Sequence, residues 1–153
     1  MTSLKLLLFV IIINSTCNSQ GKWFYGGINE GDGVFKGFKV NIDFKDQSML
    51  DTLYYASPFI QQYSIDNPNN PKDWIPVFKN INPMPIHLLL HKVSKNSVDF
   101  VMEKGKTDWG GWDQYSFSGK LGKDGIKVVL KYSASARDKK VAVCKYTLWL
   151  REE

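Results

Sequence analysis

Alternation of apolar and polar residues with a period of two limits this chain more than any other feature of it. Phe38, Val40, Ile42 and Phe44 alternate with Lys39, Asn41, Asp43 and Lys45, the pattern of a strand with one face buried and one in water. Val98, Phe100 and Met102 alternate in the same way with Asp99 and Glu103, and Tyr115, Phe117 and Leu121 with Ser116, Ser118 and Lys120. Ile126, Val128, Leu130 and Tyr132 alternate with Lys127 and Lys131. Gly122-Lys123-Asp124-Gly125 supplies a turn between the last two strands, because Asp-Gly tolerates positive φ, and residues 136–140 separate the final long one. That last stretch, 141–151, is apolar on both faces: Ala142, Cys144, Tyr146, Leu148 and Leu150 on one, Val143 and Trp149 on the other. A strand contacted on both sides suits the closing seam of a barrel or the centre of a sandwich.

No segment of comparable length carries helical spacing. Residues 48–55 fit either a short helix or a strand, and residues 86–92 read as a strand. The proline- and asparagine-rich stretches 66–76 and 82–85 read as loop. The expected fold class is therefore all-β: a small antiparallel β-barrel, with a β-sandwich as the alternative.

The chain opens with Lys5, the apolar run from Leu6 to Ile13, and small polar residues up to Gln20. This is the order of a secretory signal, and its core is shorter than the roughly 20 residues that a membrane span requires. Cleavage after Ser19, with Cys17 and Ser19 as the small flanking residues, leaves 20–153 as a single domain. The expected location is secreted or periplasmic; the alternative is a lipoprotein anchored through Cys17. Without Lys5, 19 Lys and Arg stand against 15 Asp and Glu, a net charge of about +4, dispersed along the chain. So modest and scattered a charge predicts no nucleic-acid partner. Cys144 is then the one cysteine of the mature chain, so no intrachain disulfide is expected and stability must come from the core.

Catalytic chemistry finds little support. His87 and His91 have the i, i+4 spacing of a zinc pair, but no Glu follows His87 and no third His exists, so neither a metal nor another cofactor is expected. Cys144 sits in an apolar strand, where an inert buried thiol is expected. There is no Gly-x-Ser-x-Gly turn. The expectation is a binding protein and not an enzyme. The segment Asp108-Trp109-Gly110-Gly111-Trp112-Asp113-Gln114-Tyr115 places two indoles among glycines, carboxylates and an amide. Such a set can stack on sugar rings, or it can plug one end of the fold. Trp74 and Phe78 pose the same choice, between a lid over a cavity and a satellite core.

Gly21-x-Trp23 at the start of the mature chain, seven or eight strands after it, and Arg151 at the end of the last strand resemble the lipocalin and wider calycin barrels. Thr107-Asp108-Trp109-x-x-Trp112 is similar to that family's Thr-Asp-Tyr-x-x-Tyr turn, with tryptophan in place of tyrosine. The resemblance implies that Trp23 packs beneath Arg151 at the base of the barrel and that 26–33 forms a lid. One departure points toward fatty-acid-binding proteins or avidins, and a second departs from the fatty-acid-binding proteins in turn. Residues 141–151 read as strand where a lipocalin has a helix after its eighth strand, and the paired Arg-x-Tyr of the fatty-acid-binding proteins is missing from that strand. By this analogy the protein holds a small apolar or amphipathic ligand in its barrel. The expected lining residues, assigned by strand parity, are Trp74, Phe78, Phe100, Trp112, Phe117, Leu130 and Tyr146. A carbohydrate-binding sandwich using Trp109, Trp112 and Tyr115, or a protein-binding domain with a filled core, are the alternatives.

Overall fold

The structure, a computed structural model, describes residues 21–31, 34–58, 63–107, 110–136 and 139–153, with the backbone alone for 139–142. The signal segment and Trp109 lie outside the described residues. The elements run β1 (Lys22–Asn29), β2 (Phe35–Asp43), β3 (Ser48–Met49), β4 (Thr52–Ala56), α1 (Pro71–Asn80), β5 (Met84–Val93), β6 (Ser97–Met102), β7 (Gly105–Lys106), β8 (Gly111–Gly122), β9 (Gly125–Ala136) and β10 (Lys139–Glu152). Eight of these strands form a closed antiparallel barrel in the order β1-β2-β4-β5-β6-β8-β9-β10, with β10 returning to β1. The short strands β3 and β7 lie off this circuit, paired with β2 and β8. Hairpin links between neighbours account for most of the topology, as antiparallel pairing allows.

Strand parity decides what fills the interior. Phe38, Val40 and Ile42 from β2, Leu53 from β4, Leu88 from β5, Val98 and Phe100 from β6, Phe117 from β8, Val128 and Leu130 from β9, and Leu148 and Leu150 from β10 form one buried cluster. At its middle, Phe100 stacks on Phe117 at 4.4 Å and 17°, and Phe117 meets Phe38 edge-on at 5.0 Å. Both arrangements suit the aromatic quadrupole. Three rings from three strands therefore occupy the waist of the barrel.

The seam between β1 and β10 is bonded in register at one end, through Phe24↔Glu152 and Tyr25↔Arg151. Beyond it, the loop before α1 takes over the exposed backbone. The Gly27 N–H donates to the Pro68 carbonyl at 2.9 Å, and the Trp149 N–H donates to Asn69 Oδ1 at 3.0 Å. Edge strands left unpaired are aggregation hazards, and this loop covers part of one.

The proline- and asparagine-rich stretch expected to be loop contains α1. Its signals are those of a helix start: Asn70 accepts from the Lys72 N–H as N-cap, Pro71 occupies the first turn, and Asp73 sits near the positive end of the dipole. Pro76 breaks the helical pattern in the sequence, yet it is exposed, and the carbonyl it leaves without a donor belongs to the exposed Lys72. The stretch 48–55 resolves into β3 and β4. The glycine-rich segment expected as a lid starts inside β1, where Gly26 and Gly27 are buried.

Helix α1 lies against the outer face of β1 and β2, and Trp74, Val77 and Phe78 join Tyr25, Phe35 and Ala56 in a second core outside the barrel. Trp74 is fully buried and donates its indole N–H to the Pro68 carbonyl at 2.7 Å. Its ring lies over Gly27 and Gly37, so a Cβ on either glycine meets ring carbons. Gly37→Ala is therefore expected to unseat Trp74 and cost about 1–3 kcal/mol. Urea denaturation monitored by tryptophan emission checks this; an unchanged midpoint and an unshifted spectrum would contradict the seat assigned to Trp74.

Candidate functional site

At one end of the barrel the interior turns polar. Lys36 precedes Phe38 on the inward register of β2, so its side chain enters the barrel mouth instead of solvent. Its ammonium pairs with Glu30 Oε2 at 2.8 Å, and the two side chains are only 19% and 20% exposed. It also donates to Tyr115 Oη at 2.6 Å and lies 5.4 and 5.5 Å from the centroids of the Tyr115 and Tyr132 rings. Tyr115 packs on Tyr132 at 5.0 Å and on Phe38 at 5.8 Å, and Phe38 also carries Tyr55 at 5.8 Å. A cavity of about 420 Å³ opens above this floor. Met84, Ile86 and Met102 form an apolar wall, Lys36, Tyr55 and Tyr115 supply the polar base, and His87, Lys104 and Asp113 stand among its other lining residues.

The electrostatics follow from burial and pairing. Burial pulls the Lys36 ammonium down, but its hydrogen bonds to Glu30 and Tyr115 outweigh that and hold it above the ordinary lysine range. Burial pushes Tyr115 well above the usual phenol value, against the opposing effect of Lys36. Burial raises Tyr55 as well, with Lys36 again opposing, and lifts the Asp113 carboxyl, which Lys36 partly offsets. Both tyrosines are thus neutral donors at physiological pH. Because Tyr115 Oη accepts from Lys36, its own hydrogen is left for a further acceptor.

The expected site residues, the barrel-lining candidates together with Trp109 and Tyr115 of the sugar-binding alternative, divide into four groups. Phe100, Phe117 and Leu130 do face inward, but they fill the barrel instead of walling a pocket. Tyr115 and Tyr146 face inward nearer the mouth, Tyr115 buried and Tyr146 half-buried against the core. Trp74 and Phe78 pack under α1, outside the barrel, because the unexpected helix carries them there. Trp112 takes the register opposite Tyr115 and Phe117, half-buried, with Lys104 Nζ 4.1 Å from its ring centroid; Trp109 lies outside the described residues. The residues that form the mouth, Glu30, Lys36, Tyr55 and Met102, were not anticipated from sequence. Lys36 had a readable signal, since it extends the inward alternation of Phe38, Val40 and Ile42 by one step.

Other sequence expectations also change. Cys144 is a free thiol and exposed, because it lies on the part of β10 paired with β9 alone, away from the bonded seam with β1. Trp23 packs edge-on against Tyr54 at 6.0 Å with Lys39 Nζ 4.3 Å above its ring, whereas Arg151 lies over Trp149 at 5.7 Å. The packing of tryptophan beneath the terminal arginine implied by the calycin likeness is replaced by these pairs. His87 and His91 flank a bulge between Leu88 and Leu90, which breaks the parity that would place both on one face. His87 Nδ1 lies 3.9 Å from Asp51. Among the described residues no group of three His, Cys, Asp or Glu could hold a metal ion, and no helix is long and apolar enough to cross a membrane.

No protein-family model, no curated protein and no solved structure matches the chain. The geometry alone carries the functional reading. A larger cleft, about 850 Å³, lies at the opposite end of the barrel between Phe44, Ile75 and Lys123. Its ions are solvated: Lys22 and Glu152 pair there at 2.9 Å with side chains 65% and 46% exposed. Exposed pairs of this kind contribute little and select little. The mouth, by contrast, concentrates buried donors beside an apolar wall, which is the composition of a small-molecule site.

Proposed function

We propose that this protein is exported and binds a small amphipathic molecule, non-covalently and without catalysing its conversion, at the mouth of its barrel. The observation that carries this reading is the Glu30–Lys36–Tyr115 chain beneath a cavity of about 420 Å³. The Tyr115 hydroxyl offers its hydrogen to a carbonyl, carboxylate or sulfonate oxygen, while Met84, Ile86 and Met102 take the ligand's apolar part. The filled waist limits depth, so a compact or ring-shaped ligand fits better than a fully inserted acyl chain. Export is supported by the order of Lys5, apolar run and small polar residues at the start of the chain.

Native mass spectrometry of protein purified from its natural source, together with titration of anilinonaphthalene sulfonate as an amphipathic aromatic anion, tests the proposal. A small molecule that co-purifies and is displaced by the probe is the expected result. Tyr115→Phe keeps the ring and removes the donor, and is expected to weaken probe binding by about fivefold to tenfold, the worth of one hydrogen bond. A clean apo mass with no probe response, or binding that Tyr115→Phe leaves unchanged, would count against the mouth as a ligand site.

A further inference from the structure

We infer that the outer face of β5, β6, β8, β9 and β10 is a docking surface for anionic lipid bilayers, separate from the mouth. Strand register places two adjacent rows on this face: Leu90, Val101, Ser116, Lys131 and Lys145 in one, and Lys92, Asp99, Ser118, Val129 and Thr147 in the other. The serines of β8 are shorter than their neighbours, so a shallow groove of about 560 Å³ runs between the aliphatic side chains of β5 and β6 and those of β9. Leu90 is 69% exposed and Val129 47% exposed. The bulge between Leu88 and Leu90 helps to build the patch, since its extra residue leaves Leu89 exposed beside Leu90.

Charge identifies the occupant. Lys92, Lys131 and Lys145 lie around the groove, with Lys120 and Lys127 in the next row, and all five are exposed. The acid among them, Asp99, accepts a hydrogen bond from Ser118 Oγ at 2.6 Å. A face this basic calls for an anionic partner. Protein interfaces favour Trp, Tyr and Arg anchors and are depleted in Lys, whereas this face offers lysines around short aliphatic side chains. That composition suits a lipid headgroup layer, in which lysines neutralise anionic lipids while leucine and valine enter the boundary region.

Co-sedimentation with vesicles of equimolar phosphatidylglycerol and phosphatidylcholine, against pure phosphatidylcholine, tests this. Binding is expected for the anionic vesicles alone and is expected to fall steeply toward about 0.5 M salt, where screening shortens to a few ångströms. At roughly fivefold per lysine, Lys92→Gln/Lys131→Gln/Lys145→Gln is expected to lose about a hundredfold in partitioning. The control Lys45→Gln/Lys72→Gln/Lys123→Gln, at the far end of the barrel, removes the same charge and is expected to lose severalfold at most. Leu90→Ser/Val129→Ser, at exposed positions that leave the fold intact, is expected to weaken binding while keeping its salt dependence. Equal binding to both vesicle types, equal losses in the two triple variants, or parental binding by the Leu90/Val129 variant would overturn the proposal. So would a polyglutamate complex or a dimer lost on the same substitutions without vesicle binding, since either would give the face to a protein.

Discussion

Phe117→Ala is expected to lower the stability of the barrel by about 3–5 kcal/mol. Phe117 is 2% exposed, stacks on Phe100 at 4.4 Å and meets Phe38 at 5.0 Å, so its ring touches partners from two other strands at the waist. Deleting it removes the transfer energy of the ring and leaves a void that neighbouring β-strands, fixed by their ladders, close only in part. Domains of this size hold about 5–15 kcal/mol in all, so the variant should sit near the margin. Chemical denaturation measures the loss, with Phe117→Leu expected to lie between parent and alanine variant. The void also gives a second readout: it should admit benzene, as dry engineered cavities do, whereas the parent should not. A parent that takes up benzene as readily as the variant would mean that the waist is hollow.

The second large effect lies at the mouth. Glu30→Gln removes the carboxylate but leaves the Lys36 ammonium in its sheltered position, and a buried charge deprived of its partner costs far more than the pair is worth intact. With about a fifth of each side chain still exposed, the expected loss is about 2–3 kcal/mol, somewhat less than for a fully buried pair. Glu30→Leu/Lys36→Met, which removes both charges and keeps their volume, is expected to recover most of it. The pH dependence has a definite sign. The folded-state value of Lys36 is raised, so the stabilisation from its charged form is fully present below the ordinary lysine value of 10.5 and is lost only as pH climbs toward the folded value. Tyr115 acts in the same window, because its burial favours the neutral phenol while the unfolded chain ionises above its ordinary value of 10.0. The difference between parent and Glu30→Gln should therefore stay flat from pH 6 to pH 9 in denaturation experiments. A difference that collapses across that interval would show that another group controls the pair.

The sequence was most readable where burial is one-sided. Alternation marked the strands around Phe38, Phe100, Phe117 and Leu130 because one face of each is dry, and Gly122 to Gly125 announced the hairpin that the backbone makes, with Gly125 at φ 128°. Helix α1 was obscured by Pro71 and Pro76, although Asn70, Pro71 and Asp73 are ordinary helix-start residues. Its consequence was larger than its length, for it carried Trp74 and Phe78 to the outside of the barrel. Parity correctly turned Phe100 and Phe117 inward but carries no information on whether facing rings meet across the axis; that depends on barrel radius and register. The candidate site was missed for a related reason. Lys36 and Glu30 are ordinary surface residue types; pairing of β1 with β2 brings them together and closure of the barrel sets Lys36 beside Tyr115 of β8, and neither step shows in a linear reading. Cys144 shows the converse: an apolar neighbourhood in sequence sits where β10 has a partner on one side alone.

The most direct test of where a ligand sits is aromatic carbon–proton NMR of the protein during titration with anilinonaphthalene sulfonate. Shifts concentrated on Tyr55 and Tyr115, fading through Phe38 and absent from Phe100 and Phe117, are the result expected of a filled barrel with a ligand at its mouth. Large shifts on Phe100, Phe117 and the methyl groups of Leu130, with the mouth tyrosines unmoved, would contradict it.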